Sequence, residues 1–520
     1  MKNVILPILK NAQINGTKAA IVDCSGGVNK NYSYLTLVRH VEAFAKELKR
    51  QGYGKGDRII VFIPMSYETY VAVLSVLYIG AVAVFIDAWV DGERLSDSIG
   101  ITNPTAAIIS NKLGKSYSIP DYVKQIDCSM MCCSRLTKSD DLLLLENMED
   151  EDEAIFTFTT GSTGIPKAAR RTHGFFMIQH QILSKYLGHK PDEINMVTFP
   201  IFLLSNLLSG ITSVIPSFNP AEPSNVDCGW VSLNVRSLGV NSMTGSTALF
   251  EKLSSYIMSG GEKISLRQIT IGGSPVFPSI AEKLCKAFLG TDIRVIYGAT
   301  EAVPISMNSM ENIYRANMAN GLPVGKIVDE IYLKVIKPYD GAIKVDNEEH
   351  LDSYTVRNGE VGEIIVAGPH VLKGYVNNQE ADRINKIFDG ERLWHRTGDA
   401  GSTDGQGNLT FFGRVKNRIC VKEKVIYPLP VENILLGVED IGFAAVIQLG
   451  EKIMAVLELL KNQEIFQDGI MEKIKKLDIG YIDEFFVMDK IPRDPRHNSK
   501  ANYEELKKYF SKAENSLTGT

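Results

Sequence analysis

The feature that most constrains the fold is a repeated alternation of short β-rich runs with amphipathic helix patterns. RIIVFI follows Asp57, AVAVFI starts at Ala81, AAIIS surrounds Ile108, RQITIG precedes Gly273 and IRVIYG precedes Ala299. Between them, Leu37, Val41, Phe44, Ala45 and Leu48 fall on one face at a helical period, and PSIAEKLCKAFL from Pro278 reads as another helix. Strands separated by helices are joined by crossovers, so their pairing is expected to be parallel and the fold class α/β. After about Pro323 the texture changes to short strands and glycine turns, EIYLKVIK, GEIIVAG and NLTFFGR. Beyond Gly413 it alternates again, through AAVIQL, MAVLELL, a charged helix near residues 470–477 and EFFVMDKIP. The expected organisation is a large N-terminal domain over 1–415, built of mostly parallel sheets with helices and holding a β-rich subdomain at about 323–413. A small, mobile α+β domain is expected over 416–520.

The run YVAVLSVLYIGAVAVFI, residues 70–86, approaches the roughly 20 apolar residues a membrane helix needs. Gly80 interrupts it where a helix would end, and AVAVFID is β-rich, so a buried helix followed by a buried strand is expected and no stable membrane span. With 44% apolar and 22% charged residues the chain reads as globular, and a formal net charge of -5 leaves no basic excess for a nucleic-acid partner. The seven cysteines, Cys24, Cys128, Cys132, Cys133, Cys228, Cys285 and Cys420, lack paired CxxC spacing. That fits neither a disulfide framework nor a zinc site, and a cytoplasmic location is expected.

Residues 157–167 read TFTTGSTGIPK, directly after β-prone residues. Thr159, Thr160, Gly161, Ser162, Thr163 and Gly164 can surround phosphate oxygens with N–H and O–H groups, and Lys167 supplies a positive charge. Pro166 stands where the Walker A loop requires glycine, so a P-loop NTPase is disfavoured.

TTGSTGIPK resembles the signature loop of the adenylate-forming superfamily, which includes acyl-CoA synthetases, peptide-synthetase adenylation domains and luciferases. Further strings resemble that family in the same order: ITIGGSP with Gly273 and Ser274, YGATE with Tyr297, Gly298, Thr300 and Glu301, WHRTGD with Asp399, and GRVKNRI with Arg414 and Lys416. IPRDPRHNSKANYEEL, with Lys500, comes last. The resemblance implies ATP and Mg²⁺. It implies Tyr297 beside adenine, Thr300 on the α-phosphate, Glu301 on the metal, Asp399 on the ribose diol with Arg414 beside it, Lys416 as the interdomain hinge, and Lys500 at the reacting carboxylate. Lys167, Thr300, Glu301 and Lys500 are the implied catalytic set. The implied reaction activates a small-molecule carboxylic acid as acyl-AMP and passes the acyl group most generally to a thiol, CoA or a carrier protein.

Departures from the family pattern include Lys416, where the family more often has Asp, Ala168 and Ser499 in place of glycines, Glu423 near a glycine that approaches the thiol, and Leu203 and Leu204, which suggest an apolar wall for a fatty acyl group. YGATEAVPIS, DPRHNSK and GRVKNRI resemble the β-lactone synthetases of olefin biosynthesis, in which a 3-hydroxy acid closes on itself without CoA. A reading of another class, an acyl- or nucleotide-binding module without turnover, is disfavoured by the intact Lys167, Glu301, Asp399 and Lys500.

Overall fold

The computed structural model describes residues 2–86, 92–110, 117, 119–128, 143–160, 166–220, 222, 225–317, 320–421, 424–460, 467–477, 479–493 and 501–518. Its largest element is a 14-stranded sheet. In one half Ala19–Asp23, Thr212–Ile215, Ile194–Val197, Ser242–Ser246, Gln268–Gly272 and Asp292–Ala299 pair in that order, all parallel. The chain then turns at Thr300 and Glu301 and returns as Ala302–Ser309, antiparallel, with Ala299 opposite Ala302. From there the other half is antiparallel, running through Leu322–Ile327, Asn408–Arg414, Leu393–Thr403, Gly362–Ala367 and Tyr332–Ile336. The β-rich stretch after Pro323 is therefore hydrogen-bonded into the same sheet, and the switch from parallel to antiparallel pairing lies at Thr300–Glu301. Ligands of open α/β sheets bind beyond the carboxyl ends of the parallel strands, and Ser246, Gly272 and Ala299 all end there.

A second, six-stranded sheet runs Lys124–Asp127, Ala106–Ile109, Arg58–Phe62, Val82–Phe85 and Glu153–Thr160 in parallel, closed by the antiparallel Pro166–Thr172. The long apolar run resolves as expected: the helix Tyr67–Tyr78, capped by reciprocal Ser66 and Thr69 bonds, then Gly80 at φ 74°, then Val82–Phe85. Packing of this helix against Tyr34–Arg50 explains why it is apolar all round. Among the described residues no helix is long and apolar enough to cross a membrane.

Past the 3₁₀ turn Val415–Asn417, an antiparallel strand pair (Ile419–Val421, Lys424–Ile426) precedes a three-stranded sheet of Ile441–Leu449, Lys452–Leu459 and Glu484–Val487. The helices Pro428–Leu436, Gln467–Ile474 and Tyr503–Thr518 accompany it, with a core of its own around Leu435, Val446 and Leu457.

Candidate active site

A cleft of about 1400 Å³ opens at the carboxyl ends of the parallel strands and collects residues from the large sheet, the six-stranded sheet and the C-terminal unit. Thr157, Thr159, Lys167, Gly273, Ser274, Tyr297, Gly298, Thr300, Glu301, Asp399, Arg414 and Lys416 all line it. Thr159 lies opposite Lys167, and Thr160 opposite Pro166, in the strand pair that brackets the expected phosphate loop. Gly161, Ser162, Thr163 and Gly164 lie outside the described residues.

The turn between the two halves of the sheet is held from behind. Arg171, wholly buried, donates from Nη2 to the Thr300 carbonyl at 2.6 Å and from Nη1 to Thr157 Oγ1, while its Nε has no partner. Burial lowers its pKa to about 10, against the pull of Glu301. The Glu301 carboxylate accepts from the Tyr375 hydroxyl at 2.7 Å. Burial pushes Glu301 toward the neutral acid, but His395, the Tyr375 hydrogen bond and Lys386 together outweigh it and hold the group below its ordinary range. Lys167 Nζ and Lys386 Nζ lie 5.4 and 5.8 Å from the centroid of the Tyr375 ring. Burial depresses both ammonium groups, Lys386 to about 8, and Glu301 and Asp382 oppose the shift. His395, paired with Lys386 across strands, is pushed down to about 3 by burial and Lys386, so it is a neutral ring, with an unpartnered Nδ1, at the cleft. Tyr375, Lys386, His395 and Arg171 carried no assigned role in the sequence reading. Of these, His395 stands inside the quoted string WHRTGD.

The second polar group centres on Asp399. Its Oδ2 accepts from the Tyr297 hydroxyl at 2.7 Å, its Oδ1 lies 3.1 Å from Arg414 Nη1, and its own N–H bonds Thr397 Oγ1. The left-handed Gly398 (φ 68°) makes the bend that presents it. Tyr297 is thus tethered by its hydroxyl beside the cleft, its ring 5.7 Å from that of Phe411. Gly273 also has positive φ (85°), and Ser274 Oγ donates to Thr247 Oγ1. Gly298 serves the fold directly: a Cβ there would meet the Ala302 carbonyl oxygen at 2.7 Å, so only glycine lets the returning strand close this tightly.

The other end of the cleft is apolar, with Tyr70, Val73, Phe85, Phe202, Leu204 and Val303 in its wall. Leu204 takes the place expected of it. Leu203 does not: successive residues of the helix Pro200–Leu208 point about 100° apart, and Leu203 turns into the protein core.

From the C-terminal unit, Lys416 Nζ meets Glu504 Oε1 at 3.5 Å. Glu423, Ser499 and Lys500 lie outside the described residues. The stem on either side of Lys500 is described: Arg493 bridges Ala501, Asn502 N–H donates to the Pro492 carbonyl, and Ala501 to Glu504 line the cleft. Tyr503 donates to Glu432 Oε1 at 2.6 Å, and Glu432, buried between two helices, is raised by burial to about 7.

Residues 8–376 match the model of the AMP-binding enzyme family, more than half of the chain. The chain belongs to that family. It is an AMP-forming acid ligase, as the ordered motifs led us to expect. It is 28% identical over 505 residues to the olefin β-lactone synthetase of Stenotrophomonas maltophilia, covering 91% of this chain and 90% of that protein. The corresponding synthetase of Xanthomonas campestris is 30% identical over 445 residues, covering 79% and 78%. The 2-succinylbenzoate–CoA ligase of Oceanobacillus iheyensis is 24% identical over 443 residues, covering 84% and 85%. The fold is that of the Bacillus subtilis o-succinylbenzoate coenzyme A synthetase solved with ATP and magnesium (TM-score 0.78, 20% identity, 96% of this chain and 99% of that one). It is equally that of ATP-bound MatB from Rhodopseudomonas palustris (TM-score 0.80, 17% identity, 98% and 99%).

Proposed function

We propose that the protein uses ATP to convert a hydrophobic carboxylic acid into its acyl-adenylate with release of pyrophosphate, and that a 3-hydroxy acid then closes on itself as a β-lactone with release of AMP. The observation that carries the first half is one cleft that joins the Lys167–Glu301 cluster, the Asp399–Arg414 pair and an apolar wall.

In this reading Asp399 takes the ribose diol, a carboxylate matched to two donors, with Arg414 beside it. Tyr297, fixed by its tether, stands beside adenine, and Gly273 and Ser274 lie along the nucleotide. A carboxylate oxygen of the acid attacks the α-phosphorus in line, and the bond from that phosphorus to the pyrophosphate oxygen breaks. Thr300, Lys167 and Lys500 offset the charge that develops, and the cleft holds the reactants in line. Among the described residues no group of three or more His, Cys, Asp or Glu is placed to hold a metal by itself. One ionised, buried carboxylate does suit Mg²⁺, which usually takes one or two carboxylates and completes its shell with phosphate oxygens and water. Glu301 would hold it, and the ion would supply charge neutralisation on the phosphates. Residues 1–415 and 416–520 act as the two domains, with Lys416 as the pivot between half-reactions, and ATP as co-substrate suits a cytoplasmic location.

In the second half the substrate's hydroxyl oxygen attacks the activated carbonyl, the bond to AMP breaks and the hydroxyl proton is released. The two olefin β-lactone synthetases among the relatives support this acceptor over a thiol. The competing reading, transfer to CoA or a carrier-protein thiol, is favoured by the several CoA ligases among them. Matched reactions with a 3-hydroxy acid and a plain fatty acid, each with and without CoA, separate them by mass spectrometry. The expected result is AMP, pyrophosphate and a neutral lactone from the hydroxy acid without CoA. Rapid acyl-CoA formation from both acids would establish the ligase instead.

A further inference from the structure

Besides Arg171 Nε and His395 Nδ1, the cleft holds an unpartnered buried acceptor on Gln179. Gln179 sits on the helix His173–Leu187 among its buried residues, near Phe176, His180 and Leu183. It is 1% exposed, it lines the cleft, and its Nε2 donates to the Val303 carbonyl at 3.4 Å. That bond fixes which way the amide faces, because the flipped rotamer would set two carbonyl oxygens against each other. Oε1 is left turned away from Val303, buried and without a partner. An unsatisfied buried acceptor is unfavourable, a cost that a bound donor removes.

We propose that Gln179 is a specificity residue that accepts a hydrogen bond from a hydroxyl on the acyl substrate close to its reacting carboxylate, so that the site selects 3-hydroxy acids over plain fatty acids. The inference rests on the adenylation reading and deepens it. Position supports it: Val303 lies two residues beyond Glu301, and its side chain packs with Phe202 and Leu183 at the start of the apolar wall. Through Val303, Gln179 adjoins both the Glu301 turn and the apolar wall, where the first carbons of an acid bound by its carboxylate would lie. An amide oxygen can only accept, a hydroxyl can donate, and a methylene there would leave the oxygen unpaired.

The test is pyrophosphate release by the full chain with a 3-hydroxy acid and with the plain acid of the same length, for the wild type, Gln179→Met and Gln179→Glu. Titration with ATP shows that each variant keeps a folded nucleotide site. The wild type should favour the hydroxy acid at least about tenfold in kcat/KM, Gln179→Met, which keeps volume and loses the acceptor, should erase most of that ratio, and Gln179→Glu, which keeps an acceptor, should retain part of it. A hydroxy-to-plain ratio unchanged in Gln179→Met, or near one in the wild type, overturns the role of Gln179 and leaves adenylation standing. Pyrophosphate release from neither acid by the wild type removes the adenylation reading, and this inference with it.

Discussion

At the scale of single residues, the site is organised by charges that burial works against. Asp399 serves two neighbours at once, Tyr297 and Arg414, so removing it takes away the proposed ribose acceptor and also frees the aromatic ring beside it. Asp399→Ala should weaken ATP binding by about 1–3 kcal/mol, roughly five- to 150-fold in Kd, by calorimetric titration. Equal affinities would remove Asp399 from the nucleotide site. Lys500→Ala should lower single-turnover acyl-AMP formation by about a hundredfold or more while ATP still binds, as loss of a charge partner in the transition state does. An unchanged rate would show that another cation serves the reacting carboxylate. Thr300, Glu301, Asp399 and Arg414, which line the cleft, were singled out in the sequence because each stands in a short string that resembles a family motif, YGATE, WHRTGD or GRVKNRI. Lys386, His395 and Gln179 were not. Lys386 and His395 meet Glu301 through a cross-strand pair nearly a hundred residues further along the chain, and Gln179 looks like any polar residue on a helix until its amide is found buried.

Among the elements, two junctions deserve measurement. The closing of Ala302–Ser309 onto Asp292–Ala299 depends on Gly298, where even a methyl group would press on the Ala302 carbonyl at 2.7 Å. Gly298→Ala should destabilise the protein by about 1–3 kcal/mol in denaturant titration and displace Thr300 and Glu301, so pyrophosphate release should fall with it. Wild-type stability in the variant would show that the turn yields without cost. In the C-terminal unit, Glu432 joins the helices Pro428–Leu436 and Tyr503–Thr518 through Tyr503, and also accepts the Val446 N–H. Its pKa is raised from 4.5 to about 7, so the folded state holds a proton that the unfolded chain loses. The sign follows: this contribution is complete below about pH 4.5, is lost as pH rises through about 7, and amounts to roughly 3 kcal/mol. The C-terminal unit should therefore be easier to unfold at pH 8 than at pH 5, by hydrogen exchange in Tyr503–Thr518, and Glu432→Gln should flatten that dependence. A wild-type profile without slope over this range would place the carboxyl in contact with water. Strands such as Arg58–Phe62 and Val82–Phe85, and helices such as Tyr34–Arg50, were legible from periodicity, because each pattern reports the one or two faces it buries.

Across the whole molecule, what the sequence concealed was strand order. The continuity of one sheet from the parallel strands into the β-rich stretch depends on Leu322–Ile327 pairing with both Ala302–Ser309 and Asn408–Arg414, contacts between segments far apart in the chain that no local pattern encodes. That continuity brings Asp399 and Arg414 to the same cleft as Glu301, and the C-terminal unit then places the stem of the Lys500 segment across from them. The account stands on the claim that this cleft joins a carboxylate to the α-phosphorus of ATP. An acid labelled with ¹⁸O in both carboxylate oxygens tests it most directly, by mass spectrometry of the nucleotide after turnover. Attack by the carboxylate on the α-phosphorus predicts AMP carrying one ¹⁸O per turnover and unlabelled pyrophosphate, whereas unlabelled AMP, or label in the pyrophosphate, would contradict the formation of an acyl-adenylate.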